Sequence, residues 1–428
     1  MRRGDLSALA LSPGGRLAAT PARGLGLPGL GAVSLDGAFA MILFAALLFA
    51  GQLGTAAAVL IVLATGAYGF SQRDRLRAIF LRPLPLLAVP SWAIFSVVWS
   101  QFPGATLKYG AELLVTVAAA LLIAAAPSPK AVLKGLLLAF LLYAVMALAF
   151  GGSVGMGAGG QTAFSGLSDS KNLLADIAST GCIISLAVLA IALTGREPLW
   201  MSLSTGAAGV QLYLLIVSRS AGAVLGLGVG VATLAILWTL LAAGRAARLI
   251  FAGALGLAAL AVAIFHQPLS AAAIAVGSAA FDKDPTLTGR TYLWYRAADL
   301  IAEHPLLGRG YSAFWVQGNI DAEGLWRYAG IGTRGGFNFH NLGVEILVHL
   351  GWVGLVLVVV VLMTGAVALV RRFVVEASLS LCFWFAILVY QLVRTPIESV
   401  GLAPFHISTL FVFAALAAAF TPRGKRAA

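Results

Sequence analysis

The sequence predicts an all-α protein, a polytopic helical bundle of about 12 transmembrane helices with one large loop on its outer face. Three observations carry this. Of 428 residues, 60% are hydrophobic and 10% charged, with a mean hydropathy of +0.96, whereas soluble proteins run near ~45–50% apolar and ~25% charged. The apolar residues fall in runs close to the ~20 residues an α-helix needs to cross a bilayer. Lys and Arg collect on alternate connections between those runs, which is the topology signal of a membrane protein. Large soluble domains are excluded, and Cys182 and Cys382, each in the middle of an apolar run, exclude a disulfide scaffold or a zinc module.

The elements follow in order. Residues 1–31 hold Arg2, Arg3, Arg16 and Arg23 among Gly, Ala and Pro, without the apolar core of a signal peptide, and read as a cytoplasmic tail. Within 32–265, apolar runs at 37–53, 54–70, 84–100, 109–126, 132–150, 173–193, 199–217, 221–243 and 249–265 predict transmembrane helices one to nine. Residues 266–341 form the large outer loop, where loops of such length are functional or disordered. Runs at 342–370, 378–393 and 405–420 give the last three spans within 342–420, and 421–428 is a basic cytoplasmic tail.

With the N-terminus inside, the inner segments carry 18 Lys and Arg and the short outer connections only Lys108, Lys171, Arg219 and Arg394. That bias sets both termini in the cytoplasm. The net charge of +12 is then topology and attraction to anionic membrane lipid, so no nucleic-acid partner is expected.

Ionisable groups in or near the spans are costly and mark sites. Glu112, Asp176, Glu345, His349, Arg219, Gln391, Arg394 and His406 all fall toward the outer ends, which favours chemistry at the outer surface. A proton-coupled carrier would place such groups near the midplane. Arg219, Arg290 and His340 each stand at the outer start of a helix, with Arg290 opening an amphipathic helix that ends before Pro305. A cation at a helix N-terminus opposes the macrodipole unless an anion joins it, and Arg, free N–H groups and dipole together suit phosphate. Blander roles stay open: a snorkelling Arg219, an Arg290 paired with Asp282 or Asp284, a His340 that only caps its helix, and Glu345 with His349 as a structural i,i+4 pair. Asp282-Lys283-Asp284 has the form of an acidic metal pair and equally of a solvated turn.

These segments together resemble the O-antigen ligase and polymerase superfamily of bacterial envelope glycosyltransferases. His340-Asn341, nine residues and then Gly351-Trp352-Val353-Gly354 resembles the family's HN, nine-residue spacer, GxxG signature. SRSAGAVLG around Arg219, and DPTLTGRTYLW followed by HPLLGRGYSAFW around Arg290, are similar to family segments in the same order. The resemblance runs from about residue 84 to the C-terminus.

It implies a bacterial inner-membrane enzyme whose large loop is periplasmic. That enzyme would transfer a glycan from undecaprenyl diphosphate to a hydroxyl acceptor, with inversion and with neither cofactor nor metal. Arg219 and Arg290 would hold the diphosphate, and His340 would be the general base. Lys171, Asn172 and Asn341 are candidate substrate contacts, and Gly351 and Gly354 would admit a neighbouring helix. The Arg290 segments look more like succinoglycan-type exopolysaccharide polymerases than ligases, which deliver glycan to lipid A-core. A chain-length regulator and a flippase are further partners. The alternative from another class is a lipid-glycan flippase or secondary transporter; the short connection between the sixth and seventh spans argues for an enzyme.

Overall fold

The computed structural model describes residues 34–156, 161–264, 290–334 and 337–421. The helices are α1 (Leu35–Leu48), α2 (Ala50–Leu53), α3 (Thr55–Ser71), α4 (Leu76–Leu81), α5 (Ala88–Phe95), α6 (Pro103–Ala124), α7 (Pro129–Phe150), α8 (Lys171–Gly195), α9 (Pro198–Val217), α10 (Ala221–Ala242) and α11 (Arg245–Ile264). After these come α12 (Arg290–Glu303), α13 (Ile320–Tyr328), α14 (Leu342–Val375), α15 (Leu379–Leu392) and α16 (Ile407–Ala418). The chain is an all-α multi-pass membrane protein.

Each of the twelve apolar runs contains helix. Six helices among the described residues, α6 to α10 and α14, are long and apolar enough to cross a membrane unaided. Two of the other runs are interrupted. The run at 84–100 is split into 3₁₀ and α pieces around Pro85 and Pro90. α3 meets the following helical segment at a bend of 76°.

Local chemistry sets the helix starts. Ser34, Ser128, Ser170 and Ser378 each accept a backbone N–H of their own first turn, at α1, α7, α8 and α15. Pro occupies the first turn of α6, α7 and α9, where its missing N–H costs nothing. α8 is the most enclosed of the six long helices and packs on α7, α9, α10 and α15, while α1 lies along α7 and α16 against α6 and α15.

Inside this core Asp176 of α8 pairs with Arg394, and the Tyr390 hydroxyl donates to the same carboxylate at 2.9 Å. The Arg394 guanidinium also lies 4.9 Å over the Tyr390 ring. A buried ion pair of this kind fixes geometry more than it adds stability. Here it pins the C-terminal end of α15 to α8, and so the origin of the connection 393–406.

Two features depart from the sequence expectation. A Gly-rich stretch after α7 forms an antiparallel hairpin, β1 (Gly152–Met156) with β2 (Gln161–Gly166), pairing Ser153 with Phe164 and Val154 with Ala163. The second is α14, whose helical path breaks at Gly351 (φ +63°, ψ −167°). The loop backbone at 305–310 fills the break: Trp352 N donates to Pro305 O, Val353 N to Leu306 O, Arg309 N to Val348 O and Gly310 N to His349 O, at 2.9 to 3.1 Å. The close approach at Gly351 is therefore made by this turn segment and not by a neighbouring helix.

Within the described part of the large loop, α12 and α13 build a small core of their own. Leu293, Ala297, Leu300, Phe314, Trp326 and Phe339 pack there onto Val348 of α14. Residues 265–289, which include Asp282, Lys283 and Asp284, lie outside the described residues.

Candidate active site

One end of the bundle gathers the polar residues. The start of α8, the α9–α10 turn, the start of α12, the start of α14 and the connection 393–406 meet there through hydrogen bonds. At their centre is Glu398, whose side chain is 18% exposed.

Oε1 of Glu398 accepts from Arg290 Nη2 at 3.0 Å and from Asn172 Nδ2 at 3.4 Å, and Oε2 faces His340 Nδ1 at 3.1 Å. Arg290 also donates through Nη1 to Ile397 O at 2.7 Å. Burial alone would raise the Glu398 carboxyl. The hydrogen bond from His340, with the charges of Arg290, His340 and Arg394, outweighs that and holds it below the ordinary carboxylate range. Glu398 is therefore an anion that can only accept, so His340 Nδ1 carries the proton of that bond. In the neutral ring this leaves Nε2 with a free lone pair.

His340 is held from both sides. Its backbone is left-handed (φ +52°), its N–H donates to Asn338 Oδ1 at 2.8 Å, and the Phe337 ring stands edge-on at 5.7 Å. Asn341 caps α14 by accepting from Val344 N at 3.1 Å, and its Nδ2 donates to Pro396 O at 3.2 Å. Both ends of its amide thus serve to fasten the connection 393–406 to the start of α14. Glu345 reinforces this by accepting from Trp315 Nε1, Phe339 N and Ser399 Oγ at 3.0, 2.8 and 3.3 Å.

The α9–α10 turn comes in through α8. Ser220 Oγ donates to Asn172 Oδ1 at 3.1 Å, and Lys171 Nζ donates to Arg219 O at 3.2 Å. Arg219 itself is left-handed (φ +52°) and exposed, and its guanidinium makes no hydrogen bond or ion pair among the described residues.

The side chains of Arg290, His340 and Asn172 thus meet at Glu398, the hub that sequence reasoning missed; Asn341 ties in through Pro396 O, and Arg219 is reached only at its backbone carbonyl, by Lys171. Glu398 lies in a short Pro-containing connection, and the base four residues before it, Arg394, is paired with Asp176 of α8. The available signal was the unfavourable Arg290 at a helix start, which calls for an anion. Part of that anion is Glu398. Arg290 does not need Asp282 or Asp284 for a partner.

The depressed Glu398 carboxyl has a consequence for stability. A carboxylate held below its unfolded value of ~4.3 contributes stability that is present above that pH and is lost as pH falls through its folded value. Purified wild type should therefore hold its unfolding temperature from pH 7 to about 5 and lose it progressively below about 4. A Glu398→Gln chain should start lower at pH 7 and lack that portion of the acid loss; identical profiles would remove Glu398 from the account.

The helical membrane bundle thus carries cations, an imidazole and a carboxylate together at one end. Residues 206–359 match the family model described as O-Antigen ligase. The chain is also 32% identical over 352 residues, covering 80% of this chain and 78% of the relative, to "Exopolysaccharide production protein ExoQ" of Rhizobium meliloti (strain 1021). It belongs to the O-antigen ligase/polymerase superfamily, and is a glycan-processing membrane enzyme of that family. The matched segment contains Arg219, Arg290 and His340, and Glu398 lies beyond it.

Proposed function

We propose that the chain polymerises undecaprenyl-diphosphate-linked oligosaccharide repeats into exopolysaccharide at the periplasmic face of the bacterial inner membrane, with twelve spans and both termini in the cytoplasm. The observation that carries this is the His340–Glu398–Arg290 arrangement at one end of a membrane bundle. It joins a base to a cation that can meet a diphosphate. The relative's name, an exopolysaccharide production protein, supports polymer synthesis over delivery to lipid A-core.

In the proposed step His340 Nε2 takes the proton of an acceptor sugar hydroxyl. The freed oxygen pair attacks the anomeric carbon of the donor from the side opposite the carrier, and the carbon–oxygen bond to the diphosphate breaks with inversion. The bonding pair leaves on undecaprenyl diphosphate. Glu398 stabilises the imidazolium that forms. Arg290 uses two of its five N–H donors on Ile397 O and Glu398 and keeps three for the leaving group; the exposed Arg219 adds a second cation. The step as written needs only side chains of this chain, with no cofactor or metal.

The test is the product left in a strain lacking the protein. Accumulation of single lipid-linked repeats and loss of long polymer, both reversed by the wild-type gene, is the expected result. Long lipid-linked chains that never reach lipid A-core would replace the polymerase with the ligase.

A further inference from the structure

A cavity of about 140 Å³ opens beside the network, between the α1–α2 tip, the start of α8 and the start of α16. It shares two elements with the site. Asn172 reaches Glu398, while the next residue, Leu173, lines the cavity. The connection 393–406 carries Glu398 toward its first end, and Phe405 and His406 at its other end line the cavity.

We propose that this cavity is a sugar-binding subsite that seats one residue of the glycan next to the transfer centre. The proposal rests on the transfer function only for what the sugar belongs to. The lining has the mixed character that carbohydrates require, with apolar faces for the C–H side of a ring and fixed donors and acceptors for its hydroxyls.

Phe405 supplies an aromatic ring from a backbone in the left-handed region (φ +46°), a conformation rare for an aromatic residue. Its N–H is tied to Thr116 Oγ1 at 2.9 Å. Held geometry of this kind is common where a side chain must meet a ligand.

Asp169 supplies an acceptor. It is exposed, and its carboxylate makes no hydrogen bond or ion pair among the described residues. His406 supplies a donor: Nδ1 accepts from Ser408 N at 3.2 Å, so the neutral ring carries its proton at Nε2. Gln52 uses its Nε2 on Leu167 O at 2.6 Å and keeps its carbonyl oxygen for a further donor. A lipid tail in the same space would meet these polar groups and satisfy none of them.

The test is equilibrium binding of a lipid-free oligosaccharide repeat, released from the organism's polymer by mild acid, to the full chain in nanodiscs. Wild type should bind it saturably. Asp169→Ala should bind about tenfold more weakly, the worth of a charge-assisted hydrogen bond. Asp169→Asn should recover most of that loss, and Phe405→Leu should weaken binding comparably to Asp169→Ala. Decyl phosphate should not compete in a manner dependent on Asp169.

Absence of binding to wild type, equal affinity of Asp169→Ala, or occupancy by decyl phosphate instead of sugar would each overturn the subsite. The two proposals fail separately. A wild-type chain that binds the repeat through Asp169 yet lengthens no glycan overturns the polymerase and leaves the subsite standing.

Discussion

A purified His340→Ala chain is expected to stay folded and to lose glycan transfer by about 10²–10⁴-fold, the range spanned by removal of a positioned general base. His340 is partly exposed and its side chain holds no helix end, since Asn341 performs that capping. The informative companion is Glu398→Gln. Arg290 and Asn172 both donate to one end of this side chain, so an amide there must present its oxygen to them and its NH₂ to His340. Nδ1 would then have to accept, and the ring proton would move to Nε2, the atom that should take the acceptor's proton. Glu398→Gln should thus lower kcat by 10² or more, in the order of ~10²–10⁴, with little change in KM, while Glu398→Asp restores part of it. The His340→Ala/Glu398→Gln double variant should be no worse than His340→Ala alone, because the two residues act as a unit. Full additivity of the two losses, or a Glu398→Gln chain with wild-type kcat, would break the pair.

The sequence and the structure agree where a residue's neighbours are near in the chain. Apolar runs of near-spanning length become helices, and the amphipathic stretch at Arg290 becomes α12 and stops at Glu303, before Pro305. The placement of Arg219, Arg290 and His340 at helix starts was legible because hydropathy marks where each run begins. What joins them was not. Glu398 lies 58 residues from His340 and 108 from Arg290, and such separations carry no periodicity. The same holds for Asp176 and Arg394, which were visible separately as costly outer-end charges but not as partners 218 residues apart. The hairpin at 152–166 was hidden by its glycines, which read as loop whatever they pair with. A small residue in a membrane helix suggests close contact with a neighbouring helix; at Gly351 the close approach is made instead by the segment at 305–310, and a left-handed backbone angle is needed as well.

Gly351→Ala should accordingly damage the fold severely. At φ +63° and ψ −167° a side chain is strained whatever space surrounds it. A Cβ built there would also stand 2.3 Å from Leu306 O, which is backbone and cannot rotate away. Relief would require moving the segment at 305–310, and with it the four backbone hydrogen bonds across the break in α14. Strain of ~1–3 kcal/mol and even two of those bonds at ~1 kcal/mol each put the expected loss at about 3 kcal/mol or more. Activity should fall with stability. The same segment abuts His349 and Leu350, and the turn of α14 before the break carries Glu345, which holds the backbone of Phe339 next to His340. Gly324→Ala in α13 is the matched control. Nothing lies within 4 Å of a Cβ there, so the change should be neutral or stabilise by up to about 1 kcal/mol. Unfolding of both variants in detergent, followed by circular dichroism beside wild type, makes the comparison. A Gly351→Ala chain that expresses, melts and transfers glycan like the Gly324→Ala chain would show that the break in α14 is not needed to hold the His340 end in place.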